Sequence, residues 1–400
     1  MTSDDSHARD DSPVTGAYLD YAAATPMDPL VLEAMLPYLT GRFHNPSAPY
    51  ALARAVRDDL ERARAQVAHA IGARPGAVTF TAGATEANNL AFAAVDGHVV
   101  VDAIEHQSVL ACAEAHDHTV VGVGPDGIVD ADDVERVLRP DTELASVELA
   151  NGELGCVQPV REVVRAVRRE RRRRLEAGER RPILMHVDAS QAASTLAVNV
   201  ASLGCDLLTL SAAKVYGPKQ VGLLWADDEV RLRPLVRGGG QEGGVRSGTE
   251  NVAGVVGFAR ALELAGERRQ EDARHLESLR QRLVDGLCGR VGDVVVSGPR
   301  NPRRRLPGLL AVSFPGLQAR RLVIGLERRG VSVGTGSACA ASKMRVSHVL
   351  DAVGMPREVA EGSLRIALGR PTTAGEVDYA IGAIADVVFA ERGRMGGRSS

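Results

Sequence analysis

Apolar residues come in short runs between residues 77 and 225: "AVTFT" (77–81), "HVVVDA" (98–103), "TVVGV" (119–123), "LASVEL" (144–149), "PILMHV" (182–187), "LLTL" (207–210) and "VGLLW" (221–225). Runs of this length predict strands buried on both faces. Stretches of helical spacing separate most of them. The alternation predicts an α/β fold, a mostly parallel sheet sandwiched by helices, whose ligands bind beyond the carboxyl ends of the strands. Upstream, Leu60, Ala63, Val67 and Ala70 follow Val56 at helical spacing, so a long amphipathic helix is expected to stop at Gly72. In "MDPLVLEAML" Asp28 before Pro29 marks another helix start. From about residue 266 the chain turns helical and rich in Arg and Glu, with further strands expected near 310–314 and 363–368. The pattern divides the chain into a disordered acidic lead-in (1–16), a large unit (17–265) and a smaller C-terminal α+β unit (266–400), with no internal repeat.

Charge changes this picture little. The 400 residues include 48 basic and 51 acidic side chains, a net charge of −3, which favours neither nucleic acid nor a membrane surface as partner. No apolar run reaches the ~20 residues of a membrane span, so the chain reads as soluble. Five cysteines, Cys112, Cys156, Cys205, Cys288 and Cys339, are odd in number and widely spaced, and the N-terminus is not signal-like. That fits a reduced cytoplasm rather than a disulfide framework. The stretch "REVVRAVRRERRRRLEAGERR" (161–181) holds ten arginines, but four glutamates interleave and no aromatic residue is present to stack on bases. It reads as a solvated helix face, and direct nucleic-acid binding is not expected. Only three lysines occur, Lys214, Lys219 and Lys343, so chemistry needing a side-chain amine has three candidates.

Polar residues gather where the predicted strands end. In "FTAGATEANNL" a strand runs through small residues into a helix, so backbone N–H groups near Gly83, Ala84 and Thr85 would face an anion, with the Thr85 hydroxyl as a further donor. Taken alone, such a turn is more often ordinary helix capping. In "MHVDASQ" Asp188 closes an apolar strand, where a carboxylate is costly unless it meets a cation or several donors. In "DLLTLSAAKVYGPK" Ser211 and Lys214 follow the next strand, whereas Lys219 lies past a Gly-Pro turn and Lys343 on a loop, both expected in solvent. An anion cradle, a strand-end Asp and a strand-end Lys in one crevice match the needs of pyridoxal phosphate: donors for the phosphate, an amine for the Schiff base and a carboxylate for the pyridine nitrogen. No metal site is expected. The remaining thiol in view, Cys339 in "GTGSACAASK" (334–343), stands among side chains too small to bury it.

In this order the segments resemble the cysteine desulfurases of the class V aminotransferase group, from "YLDYAAATPMDP" (18–29) to "SLRIALGRPTT" (363–373), through "HNPSAPY", "GATEANNL", "EHQSV", "NGELGCVQP", "HVDASQ", "KVYGPK", "GGGQEGGVRSGT" and "GSAC". The resemblance implies a fold-type I pyridoxal-phosphate enzyme that converts L-cysteine to L-alanine and passes the sulfur to Cys339 as a persulfide. Lys214 is then the Schiff-base lysine, Asp188 the pyridinium partner, Gln191 the partner of the phenolic oxygen, and His106 the ring-stacking proton shuttle. Ala84, Thr85 and Ser211 match phosphate contacts, and Thr249 matches one donated by the other subunit of a homodimer. Asn151 and Arg365 match the substrate-carboxylate binders, a role suited to the planar fork of Arg365, and Asn151 matches a cofactor contact as well.

Two departures stand out: Ala213 precedes Lys214 where the family commonly has histidine, and the loop after Cys339 lacks a usual Glu-Pro pair before Ser347. The small residues around Cys339 (about 334–345) suit a mobile arm that carries the thiol between cofactor and acceptor. The other four cysteines are expected to be inert. A sulfur-acceptor protein is implied, serving iron–sulfur assembly, tRNA thiolation, thio-cofactor synthesis or DNA phosphorothioation. A selenocysteine lyase or cystine C–S lyase on the same scaffold, and a non-catalytic sulfur-relay or scaffold protein, are the competing readings.

Overall fold

Seven strands form the main sheet of the computed structural model, which describes residues 15–336 and 347–396. Along the chain they are β2 (Val78–Thr81), β3 (His98–Asp102), β4 (His118–Val121), β5 (Thr142–Ser146), β6 (Leu184–Asp188), β7 (Leu207–Ser211) and β8 (Gly222–Ala226). Their spatial order is β2-β8-β7-β6-β5-β3-β4. β4, β3, β5, β6 and β7 run parallel, and β8 is antiparallel to both of its neighbours. Successive residues serve opposite faces, as pleating requires. Val100 of β3 packs into a core beneath α2 (Ala51–Ala70), α6 (Val160–Glu176) and the first part of α8 (Val252–Arg290). Val99 and Val101 pack on the other face against α3 (Ala84–Phe92) and α4 (Gln107–Ala113). Helices thus cover both faces, the α/β sandwich expected from the apolar runs.

Local chemistry explains the helix limits. Asp28 accepts the backbone N–H of Leu30 at the start of α1 (Pro29–Leu39), and Gly72 beyond α2 adopts φ 68°, left-handed backbone that favours glycine. The arginine-rich stretch forms α6, and several of its arginines pair with acids: Arg169 with Glu135, Arg171 with Asp206, and Arg173 with Glu170 and Glu179. Arg174 is buried, donating to Glu170 and to the carbonyls of Thr142 and Arg139.

The second core lies around an antiparallel sheet ordered β12-β10-β9, formed by β9 (Val295–Ser297), β10 (Leu309–Ser313) and β12 (Ser363–Ala367). It includes the later part of α8, α9 (Ala319–Glu327) and the C-terminal helix at Ala374–Gly396. α8 is one continuous helix, roughly 58 Å long at ~1.5 Å per residue, and it feeds both cores: Val252 to Leu264 the first, Leu276 to Leu287 the second. The chain also starts in the second core, where β1 (Ala17–Tyr18) pairs in parallel with β11 (Val331–Ser332). Cys339, Lys343 and nearly all of the acidic lead-in lie outside the described residues. No helix among the described residues is long and apolar enough to cross a membrane.

Candidate active site

β6 and β7 are neighbours at the middle of the sheet, and the polar residues at their carboxyl ends converge. β7 ends at Ser211, and one 3-10 turn, Ala212–Lys214, follows it. Lys214 Nζ donates to the carbonyl oxygens of Ala22 (2.7 Å) and Ala23 (2.6 Å). Burial, helped by the charge of Arg365, lowers its pKa to about 8 against the opposing influence of Asp20 and Asp188. A lysine so placed is half neutral near pH 8, and the neutral form is nucleophilic. It lines a cavity of about 60 Å3 with Tyr21, Thr25, Gln191, Tyr216 and Asp272. Gln191 shares a carbonyl with it, donating Nε2 to Ala22 O at 3.1 Å. Lys219 is exposed, donating to the Thr25 carbonyl at 3.2 Å. Ala213, where the histidine is missing, contributes its carbonyl to the Thr25 N–H and hydroxyl.

Asp188, at the end of β6, is buried with its acceptors engaged. Oδ2 receives Asn88 Nδ2 at 2.8 Å and Oδ1 the Ser190 N–H at 2.9 Å. The Asn88 amide also donates to Ser108 Oγ (2.9 Å), which lies 2.8 Å from His106 Nδ1. His106 caps α4 by accepting the Ser108 N–H at Nδ1, so the neutral ring carries its proton on Nε2. Burial lowers the His106 pKa, with Asp188 pulling upward and Lys214 adding to the decrease. Asn88 and Ser108 were not visible as site residues in the sequence.

Three buried acids, also missed, stand behind this wall. Burial pushes Asp102 up to about 7, and burial with mutual repulsion holds Glu105 and Glu148 well above the carboxylate range. Ser146 Oγ donates to Glu105 Oε1 (2.8 Å) and lies 2.8 Å from His186 Nδ1, whose ring burial depresses to about 4. Asp102 Oδ2 and Glu105 Oε2 are buried without a hydrogen-bond partner. Asp102 closes β3 as Asp188 closes β6, so the signal that singles out Asp188 was present there too.

Arg365, on β12, reaches the site from the second core. Its Nη2 pairs with Asp20 Oδ1 at 2.7 Å, Nη1 donates to Gly152 O at 3.3 Å, and the buried Nε has no partner, leaving donor capacity for a carboxylate. Gly334, bridged to Arg365, lies so close that a Cβ would stand 2.9 Å from Asp20 Oδ1. A Cβ on Gly336 would stand equally close to the Glu153 carboxylate, and Ser347 Oγ donates to that carboxylate at 2.8 Å. Both described flanks of the segment holding Cys339 therefore rest on Glu153. Asn151 is brought less directly into play. Its amide donates to Ile104 O and Glu148 Oε1, and its oxygen accepts the N–H groups of Glu153 and Leu154, which commits the side chain to its own turn.

At the start of α3 the N–H groups of Ala84 and Thr85 have no intrahelical acceptor. Gly83, with φ 137°, packs on Gly222, which is the register partner of Ser211. Ala84 and Ser211 are thus brought to one place, as an anion site requires. Thr249 is exposed on the glycine-rich loop. Of the other cysteines, Cys112, Cys156 and Cys205 are buried, which raises their pKa values, Cys112 to about 11 and Cys205 to about 12; Cys288 is exposed.

A family model described as aminotransferase class-V matches residues 17–380. The chain is 37% identical over 383 residues to a cysteine desulfurase IscS from Dictyoglomus turgidum, covering 93% of this chain and 94% of that one. Among solved structures, a NifS-like protein superposes with a TM-score of 0.85 at 34% identity, covering 93% of this chain and 99% of the other. A structure titled SspA in complex with cysteine has a TM-score of 0.72 at 32% identity, covering 88% and 98%.

Proposed function

We propose, from the premise that this chain belongs to the class-V aminotransferase family and is a cysteine desulfurase, that Lys214 is its central catalytic group, with pyridoxal 5'-phosphate as cofactor and Cys339 as the thiol that receives sulfur. The observation that carries the proposal is the half-buried Lys214 amine, bonded to two carbonyls, with a pKa lowered by desolvation and by Arg365. The residues fit the cofactor. Lys214 would hold its carbonyl carbon, Asp188 its ring nitrogen, Gln191 its phenolic oxygen, and Ala84, Thr85 and Ser211 its phosphate. When bound, pyridoxal phosphate supplies an electron sink for cleavage at the substrate's Cα.

Arg365 binds the L-cysteine carboxylate through its unused donors and fixes the amino acid's orientation. Lys214 removes the α-proton, and His106, with its proton on Nε2, moves protons at the substrate. The Cys339 thiolate attacks the substrate sulfur: the S–S bond forms as the substrate C–S bond breaks, and proton return to the remaining carbon skeleton yields L-alanine. An acceptor thiol then takes the outer sulfur by exchange chemistry.

Thr249 would serve the phosphate of a second copy. The outward side chains Leu32, Leu36 and Leu39 of α1, with Phe43 and Leu52 beyond it, offer an apolar face for such a homodimer. We place the enzyme in the cytoplasm, where a free thiol persists.

Release of L-alanine from L-cysteine, with a mass gain of one sulfur on the Cys339 peptide, tests the reading. Lys214→Ala abolishes both, and Cys339→Ala abolishes the persulfide and desulfuration. Alanine release that survives Cys339→Ala would assign the chain to a lyase that needs no thiol.

A further inference from the structure

Tyr216, two residues past Lys214, holds a backbone conformation that bulky residues avoid, with φ 61°. Bonds on three sides fix it there. Its N–H donates to Thr25 Oγ1 (3.0 Å), its carbonyl accepts the Asp28 N–H (3.0 Å), and its phenol oxygen accepts the Arg370 N–H (2.6 Å). The Arg370 guanidinium carbon lies 4.4 Å from the centre of the Tyr216 ring, a cation–π contact. That guanidinium donates to Asp272 Oδ2 on α8 (2.8 Å) and to Asp28 Oδ2 (3.0 Å), which also receives Arg268 at 3.1 Å. Gly369 lets the segment pass close enough, since a Cβ there would stand 2.2 Å from the Tyr21 ring. One arginine following β12 thus joins the second core to α1, to α8 and to the turn after β7.

We infer that Tyr216 and Arg370 form a positioning pair that keeps the Lys214 turn packed in its buried place, so that the second core helps set the state of the reactive amine. The inference rests on the reading of Lys214 as that amine. The other charged or titratable groups acting on Lys214 are Asp20, Asp188, Arg365 and His106, and Asp272, the partner of Arg370, lines the same cavity, so Tyr216→Phe, which leaves the Arg370 guanidinium and Asp272 in place, is the cleaner variant. Loosening the turn admits water, which relieves burial and raises the lysine's pKa toward its usual ~10.4.

The scarcity of lysines makes the test direct. The full-length chain, freed of carbonyl ligands with hydroxylamine, is reductively methylated across pH 6–11, and peptide mass spectrometry reads Lys214 and Lys219 separately. The wild-type midpoint for Lys214 is expected near 8. In Tyr216→Phe and in Arg370→Ala it should rise by about one pH unit, while Lys219 stays put and Arg370→Lys restores part of the shift. In the loaded enzyme kcat should fall with little change in KM for cysteine. A folded Tyr216→Phe variant, native by circular dichroism, whose Lys214 midpoint does not move would overturn the inference. Failure of the desulfurase reading would look different: no alanine from the wild type, with the Lys214 shifts intact.

Discussion

Asp188 and Asp102 occupy equivalent places and meet opposite fates. Each closes a parallel strand of the main sheet, with β5 between them. At the end of β6, Asp188 finds the Asn88 amide and the Ser190 N–H within 2.9 Å and pulls the Lys214 pKa upward. At the end of β3, Asp102 has the Ile104 N–H at 2.9 Å but one oxygen with no partner, and it shares its surroundings with Glu105 and Glu148. Burial alone does not give a carboxylate a role; partners on neighbouring elements decide whether its oxygens are satisfied.

The strongest way to break the comparison is to remove the charge that is used. Asp188→Asn keeps the shape and an acceptor oxygen but loses the carboxylate that, on the proposed function, would face a protonated ring nitrogen. Alanine formation should fall by at least ~100-fold, with little change in melting temperature. An Asp188→Asn enzyme within threefold of wild type would show that the two aspartates do not differ in function.

Removing the donor behind Asp188 should matter less. Asn88→Ala withdraws the hydrogen bond to Asp188 Oδ2, worth about 1.5–3 kcal/mol for a charge-assisted bond, and unlinks Asp188 from Ser108 and His106. The expected loss in kcat is about tenfold to a hundredfold. Steady-state rates, with melting temperatures alongside, check it.

How legible these places were in the sequence follows from the same physics. Asp188 and Lys214 stood out because charged residues just beyond apolar strands are costly without a purpose. Asn88 sits inside "GATEANNL", where helical spacing makes a polar residue look like a solvated face; its burial comes from α3 packing across β8, β7 and β6. "LASVEL" read as one strand to 149, yet β5 stops at Ser146 and the chain turns Glu148 into the acid group. β9 escaped notice because three residues at a sheet edge carry too short a pattern. Arg365 was distinguishable among 45 arginines only by its motif, and nothing local to it announced Asp20, which is 345 residues away in sequence.

The smallest effect on catalysis should come from Asp102, and there the sign reverses. Its folded pKa, about 7, lies above its usual 3.8, because burial disfavours the charged form. As pH rises, the unfolded chain releases this proton first, near 4, while the folded protein retains it until about 7. Stability present below pH 4 is therefore lost progressively across that window and is lowest above it. Asp102→Asn removes the ionisation, so the variant should be more stable than wild type by about 1–3 kcal/mol at pH 8. The advantage should disappear near pH 4. Alanine formation should change by less than tenfold. Melting curves at the two pH values check the sign: a variant equally destabilised at both would mean that Asp102 is held by its hydrogen bonds as an anion.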